Sequence, residues 1–239
     1  SILDEEHDFT HTEYAKYQNW NALIVAATKG YLNLVNCLLE VAEVCANAAA
    51  EYNSAFRQAA ENGHLEVVNS LLRVEVVRAN ATIWNNKALI CSALNGHLKV
   101  VNRLLEIAEV RANAAAEDNG ALRWAARKGY LKVVNRLLKI NAVRTNTAAS
   151  DNQALSWAAN GGHLAVVNRL LEIDKVRAHA AAMGNYALRV AVAYRCFEVA
   201  HAIAKAQWPL GKQDMPEEMH QHLPLIKAGA QLYTAKREQ

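Results

Sequence analysis

The residues of this chain best suited to surface chemistry are its tryptophans and arginines. Trp124 and Trp157 stand 33 residues apart, and Arg127 and Lys128 come three and four residues after the first of them. Gln58 and Cys91 occupy the same register further upstream, while Tyr52, Trp84 and Tyr186 sit just ahead of the corresponding stretches. Aromatic side chains beside arginine are the types most often found as binding hot spots. Three readings stay open for the tryptophan pair: a protein-binding anchor, filling between adjacent helices, or a small-ligand contact.

Other residues could do different chemistry. Arg78, Arg111, Arg144 and Arg177 form one file at a fixed spacing of 33, and Arg103, Arg136 and Arg169 form a second. Ladders of this kind could grip phosphates, with Arg57, Arg123 and Arg189 adding charge. Glu106 and Glu172 follow Arg103 and Arg169 by three residues, however, a spacing that suits ion pairs along one helix face. The files are therefore expected to be copied, solvated salt-bridge surface, which disfavours a nucleic-acid partner. A formal net charge of +3 is too small to argue for one.

Catalytic and metal chemistry find little support. His64, His97 and His163 share one register and read as architectural, and His201, His220 and His222 do not assemble a ligand set from spacing alone. The four cysteines contain no C-x-x-C pair and read as free thiols, pointing to a cytosolic setting. Neither Cys91 nor Cys196 has an assignable base. The chain shows no phosphate-binding glycine loop, no H-E-x-x-H and no G-x-S-x-G. No enzyme activity, cofactor, metal or small-molecule substrate is expected. No apolar run is long enough to span a bilayer, and the acidic first residues lack a secretory pattern.

The elements that must position these residues declare themselves through a period. The pairs Ala22-Leu23, Ala55-Phe56, Ala88-Leu89, Ala121-Leu122, Ala154-Leu155 and Ala187-Leu188 recur every 33 residues. Gly30, Gly63, Gly96, Gly129 and Gly162 keep the same step, as do the leucine pairs from Leu38-Leu39 to Leu170-Leu171. Within a unit, Ala55, Phe56, Ala59 and Ala60 make one apolar stripe of a short helix. Gly63 ends it, and Leu65, Val68, Leu71 and Leu72 form the inner stripe of a second, antiparallel helix. Asn53, Asn86, Asn119, Asn152 and Asn185 occupy the position expected of an N-cap. Helices of about 8–10 residues are marginal in isolation, so stability must come from stacking on neighbouring units.

The stretch Ala59 to Leu72, Ala-Ala-x-x-Gly-His-Leu-x-Val-Val-Asn-x-Leu-Leu, resembles the helix-turn-helix of the ankyrin repeat, whose period is also 33. The resemblance covers residues 18–204. Two departures stand out. The family's Thr-Pro-Leu-His opening appears as Ser54-Ala55-Phe56-Arg57, without its histidine. The family's β-finger is replaced by stretches such as Ala108 to Ala116, free of Gly and Pro and rich in alanine, which predict a short helical turn. This style is similar to repeats of effector proteins that intracellular bacterial pathogens deliver into host cells. The resemblance then implies action in a host cytosol.

The expected architecture is an all-α ankyrin-like solenoid of five full repeats and a degenerate sixth, with caps at both ends. Residues 1–17 form the first cap, 18–204 the repeats and 205–239 a helical C-terminal cap. The resemblance implies that partners contact the concave face of first helices and the tips before them. Trp124, Trp157, Arg127, Lys128, Trp84, Tyr52, Tyr186 and Gln58 are the expected contacts with a protein partner that the sequence does not name. Two alternatives are a targeting domain of a larger enzyme and an anion-binding surface built from the arginine files.

Overall fold

The computed structural model describes residues 21–208 together with Glu217, His220, Leu223 and Pro224. The expected cap at 1–17 lies outside the described residues, as does that at 205–239 apart from 205–208 and those four positions. Every regular element among the described residues is helical.

The helices come in threes. The first unit holds α1 (residues 21–29), α2 (Leu32–Glu40) and α3 (Ala42–Ala46). The second holds α4 (Ala50–Glu61), α5 (Leu65–Leu71) and α6 (Glu75–Ala79). In the third they are α7 (Ile83–Leu94), α8 (Leu98–Leu104) and α9 (Ala108–Ala112). The fourth has α10 (Ala116–Arg127), α11 (Leu131–Leu137) and α12 (Asn141–Thr145). The fifth has α13 (Ala149–Asn160), α14 (Leu164–Leu171) and α15 (Asp174–Ala178). The sixth closes the described stack with α16 (Ala182–Ala193) and α17 (Phe197–Gln207).

The leucine and alanine stripes are the core, as the periodicity requires. Leu71, Leu104, Leu137 and Leu170 of the second helices are fully buried, as are Ala59, Ala60, Ala125, Ala126, Ala158 and Ala159 of the first helices. Burying a leucine is worth about 1.5–3 kcal/mol, and the small alanines let successive first helices come close. Successive first helices pack along one another from unit to unit, as do the second helices.

Short helices replace the β-finger, as expected from Ala108 to Ala116. Each is entered through one extended residue, such as Ile107 at φ −75°, ψ 122°, and anchored by one buried valine: Val44, Val77, Val110, Val143 and Val176. The tips that lead from the short helices into the next unit are not apparent in the sequence. There the chain makes three consecutive left-handed residues before each right-handed first helix begins: Glu51-Tyr52-Asn53, Trp84-Asn85-Asn86, Glu117-Asp118-Asn119, Ser150-Asp151-Asn152 and Met183-Gly184-Asn185. Left-handed backbone costs about 1–2 kcal/mol per residue without glycine, so each tip needs contacts from outside itself.

The asparagine at the third position supplies them, and here the structure corrects the capping role read from sequence. The side chain makes no cap bond. Instead the Nδ2 of Asn53, Asn86, Asn119 and Asn152 donates to the carbonyls of Val77, Val110, Val143 and Val176 at 2.7–2.9 Å. Asn53 and Asn119 also donate to Asn80 and Asn146 at 3.1 and 2.8 Å. The buried valine that anchors each of these short helices thus also receives the clamp from the tip that opens its own unit. Asparagine tolerates the left-handed region better than most side chains, which suits it to this position.

A second tie crosses the units at the turn glycine. Gly63 has φ +79°, and a Cβ there would lie 2.5 Å from Nδ1 of His97 in the next unit. The same relation joins Gly30 to His64, Gly96 to Tyr130 and Gly129 to His163. Glycine is needed both for the backbone angle and for room. The Nε2 atoms of His64 and His163 sit 3.0 and 2.9 Å from the carbonyl oxygens of Thr28 and Arg127, one unit back. His64 and His163 thus tie neighbouring units together at the turn. In the sixth unit Arg195 takes the glycine's place at φ +59°.

Candidate functional site

The first helices and their left-handed tips form one continuous side of the stack, and most of the aromatic surface lies there. Tyr52 is 59% exposed, Trp84 51% and Tyr186 43%. Tyr52 and Trp84 protrude because the left-handed triad projects its first two residues outward while turning the asparagine in, and Tyr186 directly follows its triad.

Two aromatic pairs bridge adjacent units. Trp124 on α10 and Trp157 on α13 have ring centroids 4.9 Å apart with planes at 53°, both half-buried. The guanidinium of Arg127 lies 5.1 Å from the Trp124 centroid and 5.3 Å from that of Trp157, and Arg123 lies 5.3 Å from Trp157. The second pair sits at the tips: Tyr52 and Trp84 are 5.1 Å apart at 32°, with Arg57 4.2 Å over Trp84. Tilted rings at these separations and cations over their faces are attractive geometries. The structure thus brings together Trp124, Trp157 and Arg127, and separately Tyr52 and Trp84. Lys128 is exposed beside Arg127, Gln58 is half-buried on α4, and Tyr186 stands at the far tip.

Arg57 and Arg123 were not among the contacts expected from sequence. Arg57 donates Nε to the Tyr52 carbonyl at 2.9 Å and a terminal nitrogen to that of Glu51 at 3.2 Å. Arg123 donates to the Glu117 carbonyl at 2.8 Å and to the Gln153 side chain. Each braces the left-handed tip of its own unit while presenting its guanidinium to an indole. Their recurrence directly after the repeated Ala-Leu or Ala-Phe pair, at Arg57, Arg123 and Arg189, was the available signal. Tips also bond to each other, Asn85 to Glu117 at 2.7 Å and Ser150 to Asp118 at 3.2 Å.

Between the two pairs runs an open groove of about 470 Å³, walled by Trp84 and Trp124 and lined by Lys87, Ile90 and Glu117. Gly120 belongs to its lining; a Cβ there would lie 3.1 Å from that of Glu117 and 3.2 Å from Ile90 Cδ1.

The arginine files behave differently from these side chains. The Nε of Arg103, Arg136 and Arg169 donates to the Oδ1 of Asn69, Asn102 and Asn135, each at 2.8 Å and each one unit back. Arg103 pairs with Glu106 at 3.0 Å and Arg169 with Glu172 at 2.7 Å, the spacing noted in the sequence. Arg78 pairs with Glu75 and Arg177 with Asp174.

The titratable residues show few perturbed groups. Burial pushes the Cys91 thiol above its ordinary value, with Glu61 adding to the shift, so its reactive thiolate is disfavoured. Burial also raises Cys196. No group of three or more His, Cys, Asp or Glu residues with the geometry of a metal site occurs among the described residues. No described helix is long and apolar enough to cross a membrane.

Comparison with known proteins bears on this arrangement. An X-ray structure of an ankyrin repeat family protein from Legionella pneumophila is 23% identical, over 85% of this chain and 78% of that one, with a TM-score of 0.46. Comparison with curated proteins returns no match. A family model described as ankyrin repeats matches in three overlapping copies, over residues 2–81, 56–148 and 122–212. Those copies run across the whole stack of units described above, and the chain belongs to the ankyrin repeat family.

Proposed function

We propose that this protein recognises another protein across the face formed by its first helices and left-handed tips. Ankyrin repeats are generic protein–protein interaction modules. The observation that carries the reading here is the pair of bridging aromatic clusters, Trp124–Trp157 with Arg127 and Tyr52–Trp84 with Arg57, on one side of the stack. Trp124 packs against the core with part of its ring open, and Trp84 stands half in solvent. The first pair is a rigid platform, the second a rim. A surface already ordered by its neighbours loses little side-chain freedom on binding.

The arginine files support a structural role, since three of them are bonded to the preceding unit and four arginines are ion-paired. On this reading the partner meets the first helices and not the second ones. The repeat style's resemblance to host-delivered bacterial proteins supports, as part of the same proposal, a partner in a host cytosol.

The test is affinity capture from a cytosolic extract with wild type, Trp84→Ser and a Trp124→Ala/Trp157→Ala double variant. A partner retained by wild type and lost by both variants supports the reading. A partner retained by all three contradicts it.

A further inference from the structure

Cations outnumber carboxylates along the first helices themselves, while Glu51, Glu117, Asp118 and Asp151 sit in the tips on the same side. From the end of each tip through the cap of each first helix, the chain carries Lys29, Arg57, Lys87, Arg123, Arg127 and Lys128, and then Arg189 in the sixth unit. The same stretches contain one carboxylate, Glu61. The second and short helices hold both signs, and the four ion pairs Glu75–Arg78, Arg103–Glu106, Arg169–Glu172 and Asp174–Arg177 all lie there. None of the seven first-helix cations forms an ion pair among the described residues.

Arg127 is the most telling of these. It is exposed, its guanidinium is held over two indole faces at 5.1 and 5.3 Å, and its side chain has no hydrogen-bond partner among the described residues. Its N–H groups, bonded to nothing else among the described residues, are available to grip a carboxylate in two parallel bonds. Lys128 stands beside it, exposed and unpaired among the described residues. Lys87 has the same character one unit earlier and lines the groove between Trp84 and Trp124.

We propose that this face binds an extended acidic segment of a partner protein, in which Asp or Glu residues alternate with apolar or aromatic ones. The carboxylates pair with Arg127, Lys128 and Lys87, and an apolar side chain enters the groove between Trp84 and Trp124. The inference rests on the protein-recognition reading and narrows it to one class of partner. A nucleic acid suits the surface less well. Glu117 lines the groove and Asp118 and Asp151 lie in the tips, so a continuous phosphate backbone along the face would run against them, whereas a polypeptide can place its carboxylates at Arg127, Lys128 and Lys87 alone.

Short random peptides displayed on phage, selected on the whole protein at low salt, test this directly. Enriched peptides are expected to carry an excess of Asp and Glu interleaved with aromatic or aliphatic residues. Raised salt should weaken their binding, because exposed charge pairs are screened. Arg127→Glu and Lys128→Glu, both at exposed positions whose circular dichroism should match wild type, should each lower affinity about tenfold or more. Peptides that need Trp84 and Trp124 yet show no acidic excess, or that ignore Arg127→Glu, overturn this inference and leave protein recognition standing. Peptides indifferent to Trp84→Ser as well as to Arg127→Glu overturn both, as does the failure to enrich any peptide. A single-stranded oligonucleotide that displaces the acidic peptides with higher affinity makes phosphate the ligand and also overturns it.

Discussion

The side-chain nitrogen of Asn119 lies 2.8 Å from the carbonyl oxygen of Val143, 24 residues further along the chain, in the short helix that closes the same unit. This bond lets a glycine-free left-handed turn exist at the tip of the fourth unit, and the same bond recurs at Asn53, Asn86 and Asn152. The tips carry Tyr52 and Trp84, so the clamp that ties each tip to the short helix of its unit also places the aromatic surface. One residue type thus sets both the stability of the tips and the placement of the proposed contact surface.

Asn119→Ala should therefore cost about 2–4 kcal/mol, from lost hydrogen bonds and a side chain ill-suited to positive φ. Asn119→Gly should cost about 1 kcal/mol less, because glycine recovers the backbone angle but not the bonds. Urea unfolding of the two variants beside wild type checks the order. Equal losses would remove the backbone part of the explanation.

The turn glycines make a second prediction. Gly96→Ala places a methyl 2.8 Å from the Tyr130 ring at φ +76° and should cost more than about 2 kcal/mol. Adding Tyr130→Ser should recover part of that loss, since substitutions that share a contact do not add. Additive losses in a double-mutant cycle would show that the ring is not the obstacle.

Trp84 and Trp124 should separate surface from scaffold. Trp84→Ser, at a position half in solvent, should change stability by no more than about 0.5 kcal/mol. Trp124→Ala, packed against the core and against Trp157, should cost about 2–4 kcal/mol. Thermal melts of both variants decide this, and a large loss from Trp84→Ser would mean that the tip aromatics are structural too.

Acid should loosen the last described unit first. Burial, aided by nearby Lys205, lowers the pKa of His201 below its ordinary value. The unfolded chain then binds a proton more readily than the folded one, so stability is complete above the unfolded pKa and falls as pH drops through it toward the folded value. His201→Asn, which restores the residue found at this register in the preceding units, should flatten that dependence. Hydrogen exchange in α17 measured across mildly acidic pH tracks the change. An unchanged pH profile in the variant would assign the effect to another group.

The units, their helical hairpins and the replacement of the β-finger were legible because each rests on local types repeated in step. Alanines, leucines and a turn glycine recur at 33 residues, and the Ala108 to Ala116 stretch has nothing to start a hairpin. The left-handed tips were not legible. Glu117, Asp118 and Trp84 carry no sign of positive φ, since what holds them there is a carbonyl 24 residues beyond the asparagine of the tip. The role of the asparagines was misread for the same reason: a cap is a local bond, and this one spans 24 residues. The Trp124–Trp157 pairing followed from register alone, but the direction of Arg127, over the rings and away from any carboxylate, did not.

The most direct measurement is hydroxyl-radical footprinting of the protein with and without a bound partner or its tightest selected peptide. The account predicts protection of Tyr52, Trp84, Trp124 and Trp157, with Tyr130 unchanged on the opposite helix entry. Protection concentrated on the second helices around Arg103, Arg136 and Arg169, with the four aromatics still fully reactive, would contradict it.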